Sequence, residues 1–217
     1  KYFHMKKIVV ASDSFKGSLT SLEVAGSAEQ GIHEVFPECE VVKVNVADGG
    51  EGTMDALRST LGGQWVTVAA ADPLGRPRNV SYVVLSDGKT AVIEMSAASG
   101  LPLLEPQERN PMLTSTFGTG QMIADALSRG CRRFLVGIGG SATNDAGMGM
   151  LEALGFRFMD KDGNTLPGRG ESMSEVVDID MSHVPPEVNE SEFIIACDVD
   201  SPFCGPRGAA YVFSPQK

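Results

Sequence analysis

Three aspartates share one setting in this chain. Asp13 ends VVASD, Asp48 ends NVAD and Asp198 ends IIACD. Each directly follows an apolar run of strand type and opens a loop. In open α/β sheets the carboxyl ends of parallel strands line the ligand crevice. A carboxylate placed there holds Mg²⁺, takes a hydroxyl proton or positions a cation. Turn formation and helix capping are the competing use of such an Asp, and three repeats of the pattern weigh toward chemistry. The strongest local signal is Gly137-Ile138-Gly139-Gly140-Ser141-Ala142-Thr143-Asn144-Asp145. Consecutive small residues let backbone N–H groups converge, and a following helix N-terminus adds partial positive charge. Ser141 and Thr143 carry further donors. The segment suits a phosphate or carboxylate, and it lacks the Gly-Lys-Ser/Thr ending of a Walker A loop. The alternative is a tight strand–helix turn capped by Asn144 or Asp145.

Asp48-Gly49-Gly50-Glu51-Gly52-Thr53 is a second glycine-rich loop, with two carboxylates of its own. Its charge argues against direct phosphate contact unless Mg²⁺ intervenes. Lys16 follows the first strand and can reach an anion at the same edge. Arg207 and Lys217 add cations near Asp198.

The elements that must position these residues are legible in outline. Residues 7–12 (KIVVAS) and 40–47 (EVVKVNVA) are expected as strands. Between them Thr20 and Glu23 form a capping box for a helix closed by Pro37. A second helix spans residues 54–61. This strand–helix alternation predicts an α/β fold with a parallel sheet. Residues 65–70 then read as a strand, and 79–85 and 90–95 alternate apolar and polar, with a hairpin signal at Asp87-Gly88. A domain boundary is therefore placed near residue 66. A helix over 119–129, a strand over 132–138, a helix over 147–154 and short strands at 156–159, 193–197 and 209–213 follow.

Composition narrows the function classes. The 217 residues hold 18 basic and 28 acidic side chains, a net charge of −10. No basic stripe supports nucleic-acid binding or adsorption to an anionic membrane. No apolar run approaches the ~18–20 residues that span a bilayer, and nothing resembles a signal peptide. Cys39, Cys131, Cys197 and Cys204 are scattered, which argues against a metal cluster or disulfide framework and fits a reduced, cytoplasmic setting. Lys1 to His4 precede Met5 as an extraneous remnant and are set aside.

The segments DSFKGSLTSLEV, ADGGEGT, SDGKTAVIEM, SAASGLPLL, ERNP, FGTG, GIGGSATND, ACDVD, CGPRGAA and SPQK occur in this order. Together they resemble the bacterial type I glycerate kinases over essentially all of Met5 to Lys217. The resemblance implies ATP-dependent phosphorylation of D-glycerate to 2-phosphoglycerate, with Mg²⁺. It also implies two α/β domains: a flavodoxin-like parallel-sheet domain, incomplete here, and a mixed-sheet α/β domain inserted into it. Residues 5–65 are assigned to the first and 66–217 to the second. Two departures stand out. Ala146 occupies a position where the family commonly has a second glycine. Family members also run on well past Lys217, so a C-terminally truncated chain is expected, its first sheet lacking half its strands and leaving an edge to be covered.

Within this resemblance, Gly139, Gly140, Ser141, Thr143 and Asn144 cradle an anionic group. Lys16 neutralises phosphoryl charge, Asp198 is the general base, and Asp48 with Glu51 serves metal or substrate. Asp13, Ser14, Gly49, Gly50, Arg207 and Lys217 are further candidates for substrate or phosphate contact. Which loop meets nucleotide and which meets glycerate stays open, as does homo-oligomerisation. Two rival readings remain: a phosphatase with an aspartate nucleophile at Asp198-Val199-Asp200, and a ligand-binding piece without catalysis.

Overall fold

The computed structural model describes residues 5–13, 15, 18–46, 50 and 52–217. The chain opens with β1 (Lys7–Ser12), α1 (Ser21–Val35), β2 (Glu40–Asn45) and α2 (Thr53–Leu61). An antiparallel meander follows, β3 (Gly63–Ala71), β4 (Pro77–Leu85) and β5 (Thr90–Glu94), then the short α3 (Ser96–Ser99). Next come α4 (Phe117–Ser128), β6 (Arg133–Gly137), α5 (Met148–Ala153), β7 (Arg157–Met159), β8 (Thr165–Leu166) and β9 (Asp178–Asp180). The order closes with α6 (Pro186–Asn189), β10 (Glu192–Ala196) and α7 (Ala209–Phe213). The fold is α/β, as the strand–helix alternation predicts.

β1 and β2 pair in parallel, from Lys7 opposite Glu40 to Ser12 opposite Asn45. The intervening α1 starts as its sequence dictates. Thr20 accepts from the Glu23 backbone N–H, and the Glu23 side chain accepts from Thr20 N–H at 2.8 Å. Two orphan donors of the first turn are thereby satisfied. Among the described residues this sheet has two strands, and Val9 and Val44 on it are 58% and 43% exposed.

The larger sheet has the order β10-β6-β5-β4-β3. β3, β4 and β5 are antiparallel neighbours, while β5, β6 and β10 run parallel. Asp87 builds the β4–β5 turn by accepting from Lys89 N–H, Thr90 N–H and Thr90 Oγ1. All five residues of β5 are buried, which explains its near-continuous apolar run. α2 packs on this meander although it precedes residue 66, with Met54 inside the core. α4 presents Met122, Ile123, Ala126 and Leu127 to the same core, the stripe its 3.6-residue period predicts. β8, β7 and β9 form a small separate antiparallel sheet.

One element differs from its sequence expectation. Residues 209–213 form the helix α7, not a strand. Gly208 is extended and Val212 N–H returns to its carbonyl, so two alanines start a helical turn. Alanine favours helix, and the five residues pair with no described strand, leaving Tyr211 75% exposed.

Two backbone positions yield tests. Gly120, inside α4, lies against α5: a Cβ there would collide with Met150 O and come 2.7 Å from Ala153 Cβ. Alanine gains about 1 kcal/mol of helix propensity over glycine, but overpacking costs about 1–3 kcal/mol. Gly120→Ala therefore lowers stability in urea unfolding, opposite to its propensity. Ala146 is the one described non-glycine residue with positive φ, at 53°. An L side chain costs about 1–2 kcal/mol there. Ala146→Gly should raise the melting temperature by about 2–4 °C, read by calorimetry.

Candidate functional site at the carboxyl edge of the mixed sheet

Strand register assembles the site. Glu94, the last residue of β5, lies opposite Gly137, and Gly137 lies opposite Ala196, the last residue of β10. One row thus crosses three parallel strands at their carboxyl ends. Three loops leave from it side by side. Met95 N–H still donates to Gly137 O at 2.9 Å, and Ile138 N–H donates to Ala196 O at 3.4 Å. Gly139 and Asp198 each stand two residues beyond the row, on neighbouring strands.

The glycine-rich loop is held in place from the β5 side. Leu101 N–H donates to Gly140 O and Ala142 N–H to Ser99 O, at 2.8 and 2.9 Å. Gly140 has φ +68°, and a Cβ there would crowd Ser96 Cβ at 3.3 Å. Both facts suit the second glycine of the turn. Ser141 and Thr143 spend their hydroxyls on each other at 3.0 Å, and Thr143 N–H donates to Ser141 Oγ. Their side chains therefore shape the loop. Among the described residues none accepts from the N–H of Gly139, Gly140 or Ser141. Three successive donors without a partner are what an anion-binding turn requires.

Asp145 has a different part. It is 1% exposed, and its carboxylate accepts from Thr116 N–H, Thr116 Oγ1, Gly147 N–H and Gly149 N–H at 2.7–3.1 Å. It satisfies the N-terminus of α5 and ties it to the start of α4. The dipole of α5 is therefore spent on Asp145, and the loop's anion affinity must come from its own N–H groups. This corrects the expectation that the helix end serves the ligand.

Lys217 joins this loop from far along the chain. Its Nζ donates to Thr143 O at 2.7 Å. Burial pulls its ammonium below the ordinary lysine range, while the Asp145 charge acts in the opposite direction. A partly buried cation is thus seated on the carbonyl of Thr143, in the same glycine-rich loop.

Glu94 is a site residue that sequence reasoning missed. It is 7% exposed, and its Oε1 accepts from Met54 N–H at 2.8 Å, in the first turn of α2. The bond ties the start of α2 to the row; Gly50 O accepts from Thr53 N–H, and Gly52 caps α2 with φ +95°. Its signal was in plain view, because Glu94 closes the apolar run TAVIE just as Asp198 closes IIACD.

The other candidates fall as follows. Asp198 is exposed at the end of β10, and Arg207 is exposed in the turn before α7. Asp13 directly follows β1, at the carboxyl end of the separate two-stranded sheet. Asn144 is partly buried, with its carbonyl packed near Gly170. Ser14, Lys16, Asp48, Gly49 and Glu51 lie outside the described residues. Among the described residues no three His, Cys, Asp or Glu side chains cluster as a metal site, and no helix is long and apolar enough to cross a membrane.

Comparison with known proteins agrees with this architecture. Residues 8–217 match the model of the Glycerate kinase family. A glycerate kinase of Bacillus subtilis (strain 168) is 46% identical over 211 residues, covering 97% of this chain and 55% of the relative. A glycerate 2-kinase of Escherichia coli (strain K12) is 46% identical over 215 residues, again covering 97% and 55%. A crystal structure from Salmonella typhimurium LT2, provisionally named glycerate kinase 2, superposes with a TM-score of 0.85 at 43% identity. That match covers 98% of this chain and 57% of the other. The chain thus spans about half the length of the relatives it matches. With family model, relatives and fold in agreement, the chain belongs to the glycerate kinase family.

Proposed function

We propose that this chain carries the phosphate-handling edge of an ATP-dependent glycerate kinase, which converts D-glycerate and ATP to 2-phosphoglycerate and ADP. One observation carries the reading: the N–H groups of Gly139, Gly140 and Ser141, unpaired among the described residues, belong to the loop on which the Lys217 ammonium is seated through Thr143 O, and this loop leaves the same strand row as the segment of Asp198. Phosphoryl transfer needs little covalent help from the protein. It needs positioning and neutralisation of charge. The loop N–H groups supply donors to phosphate oxygens, and Lys217 supplies the charge. Lys16 is assigned the same role from the sequence. Asp198 accepts the proton of the attacking glycerate hydroxyl as the new O–P bond forms and the bond to ADP breaks. Asp13, Ser14, Asn144 and Arg207 remain candidates for holding glycerate or phosphate.

Mg²⁺, when bound, would offset the charge of the phosphates in such a reaction. Asp48 and Glu51, with Gly49 and Gly50 between them, offer the hard oxygen donors it prefers. Glu94 ties the first turn of α2, which follows them in the sequence, to the row through Met54. Family membership and the anion cradle favour a kinase over a phosphatase with Asp198 as nucleophile. The half-length span favours one alternative, a piece that binds glycerate without turning it over.

Coupled ADP release with D-glycerate tests the reading directly. Glycerate-dependent ADP release by the 217-residue chain is the expected result, and glycerate binding without ADP release supports the non-catalytic alternative. Asp198→Asn should lower kcat by about 10²-fold or more while KM stays within a few-fold. A near-normal kcat removes Asp198 from the role. Lys217→Met should weaken ATP binding. In the parent chain affinity should fall as pH rises through a range below that of a free lysine, because the buried ammonium gives up its proton early. The Lys217→Met variant should show a flat profile over that range, measured by titration calorimetry.

A further inference from the structure

The same sheet edge carries a cleft of about 480 Å³ on the β3 side. Its floor is the end of β3, with Ala69 and Ala71, and its walls are Leu74, Phe117 and Pro167. The cleft and the glycine-rich loop share a wall. In residues 114–117, Thr114 Oγ1 donates to Ala142 O and Thr116 donates to Asp145, whereas Ser115 and Phe117 line the cleft. Alternate residues of one segment thus contact the 142–145 end of the glycine-rich loop and line the cleft, so a single stretch of backbone adjoins both.

The chemistry of the lining is specific. β3 is the edge strand of its sheet. Ala71 N–H points away from β4, because Gln121 Oε1 accepts from it at 2.7 Å. With a period of two, the N–H and C=O of Ala69 point the same way, and no described residue pairs with them. An edge strand therefore offers an alternating donor and acceptor beside small, flat, apolar surface. Gln121 keeps its amide NH₂ for the cleft. Glu152 Oε2 accepts from Gly168 N–H at 2.7 Å, and no bond is made by Oε1 among the described residues. Arg169 stands at the rim, its one ion pair a long 3.9 Å contact with Glu171.

A purine requires apolar contact on its faces and alternating hydrogen bonds along its edge. A ribose requires acceptors for its hydroxyls, which the free oxygen of Glu152 supplies. The volume lies within the roughly 300–1,000 Å³ of small-molecule pockets, and glycerate alone would leave most of it empty. We propose that this cleft is the nucleoside subsite. It takes the purine and ribose of the nucleoside triphosphate whose phosphates meet the Gly139–Ser141 donors. The inference rests on the kinase reading above and adds the assignment of base and loop that the sequence left open.

Ala69→Phe tests it. Ala69 is exposed on an edge strand, where an aromatic residue suits the backbone, and its ring would fill the cleft. Adenosine, which has no phosphate, ATP and D-glycerate are titrated separately against the parent chain and the variant by calorimetry. The expected result is a loss of about tenfold or more in affinity for both adenosine and ATP, with D-glycerate affinity unchanged. If the parent binds ATP and Ala69→Phe binds it within about twofold, the cleft assignment is overturned and the kinase reading stands. If the parent binds D-glycerate but neither adenosine nor ATP, the assignment is overturned as well. If it binds none of the three, both fail. Leu74→Trp, across the cleft, repeats the block should Ala69→Phe melt at a lower temperature than the parent.

Discussion

Parallel pairing of β5, β6 and β10 is the constraint on which the rest depends. A parallel ladder with Glu94, Gly137 and Ala196 in one row forces three chain segments to leave the sheet at one edge. Each of those segments then carries a distinct group: a buried carboxylate, a run of free N–H donors and an exposed aspartate. No side chain has to reach across the molecule. Convergence follows from register, and a slip of one residue would send Glu94 to the other face of the sheet.

The loop is rigid for a reason that can be traced bond by bond. Asp145 is buried, so its carboxylate must be fully paired, and four donors from two helix starts do this. Thr116 relays the arrangement by accepting from Met150 N–H with the same oxygen that donates to Asp145. Thr114 and Ser99 hold the opposite side of the loop through Ala142. Ser141 and Thr143 turn inward to each other. The N–H groups of Gly139, Gly140 and Ser141 are left without an acceptor among the described residues, and the Lys217 ammonium is seated on Thr143 O of the same loop.

The legible parts of the sequence were those with a local cause. Thr20 and Glu23 specify a cap within four residues, and the structure contains that cap. Asp87-Gly88 specifies a turn, and Met122, Ile123, Ala126 and Leu127 specify a buried helix face. The GIGGSATND segment was readable as a strand-to-helix loop because its small residues act on their own backbone. Glu94 was missed because its role depends on Met54, 40 residues away. Lys217 was identified as a cation, but its seat on Thr143, 74 residues away, has no signature in the chain. The segment at 209–213 mixes alanines with Tyr, Val and Phe, so its preference is divided. The absence of a described pairing strand decided it for helix. Ala146 shows a third case: the residue type is ordinary, and only the backbone reveals that its φ favours glycine.

The central claim is that the N–H groups of Gly139, Gly140 and Ser141 are the phosphate donors. Backbone amide NMR observes them individually. Titration with ATP should shift these three amides together and to saturation, with Lys217 moving at the same midpoint. ATP binding that leaves the three amides in place would contradict the account.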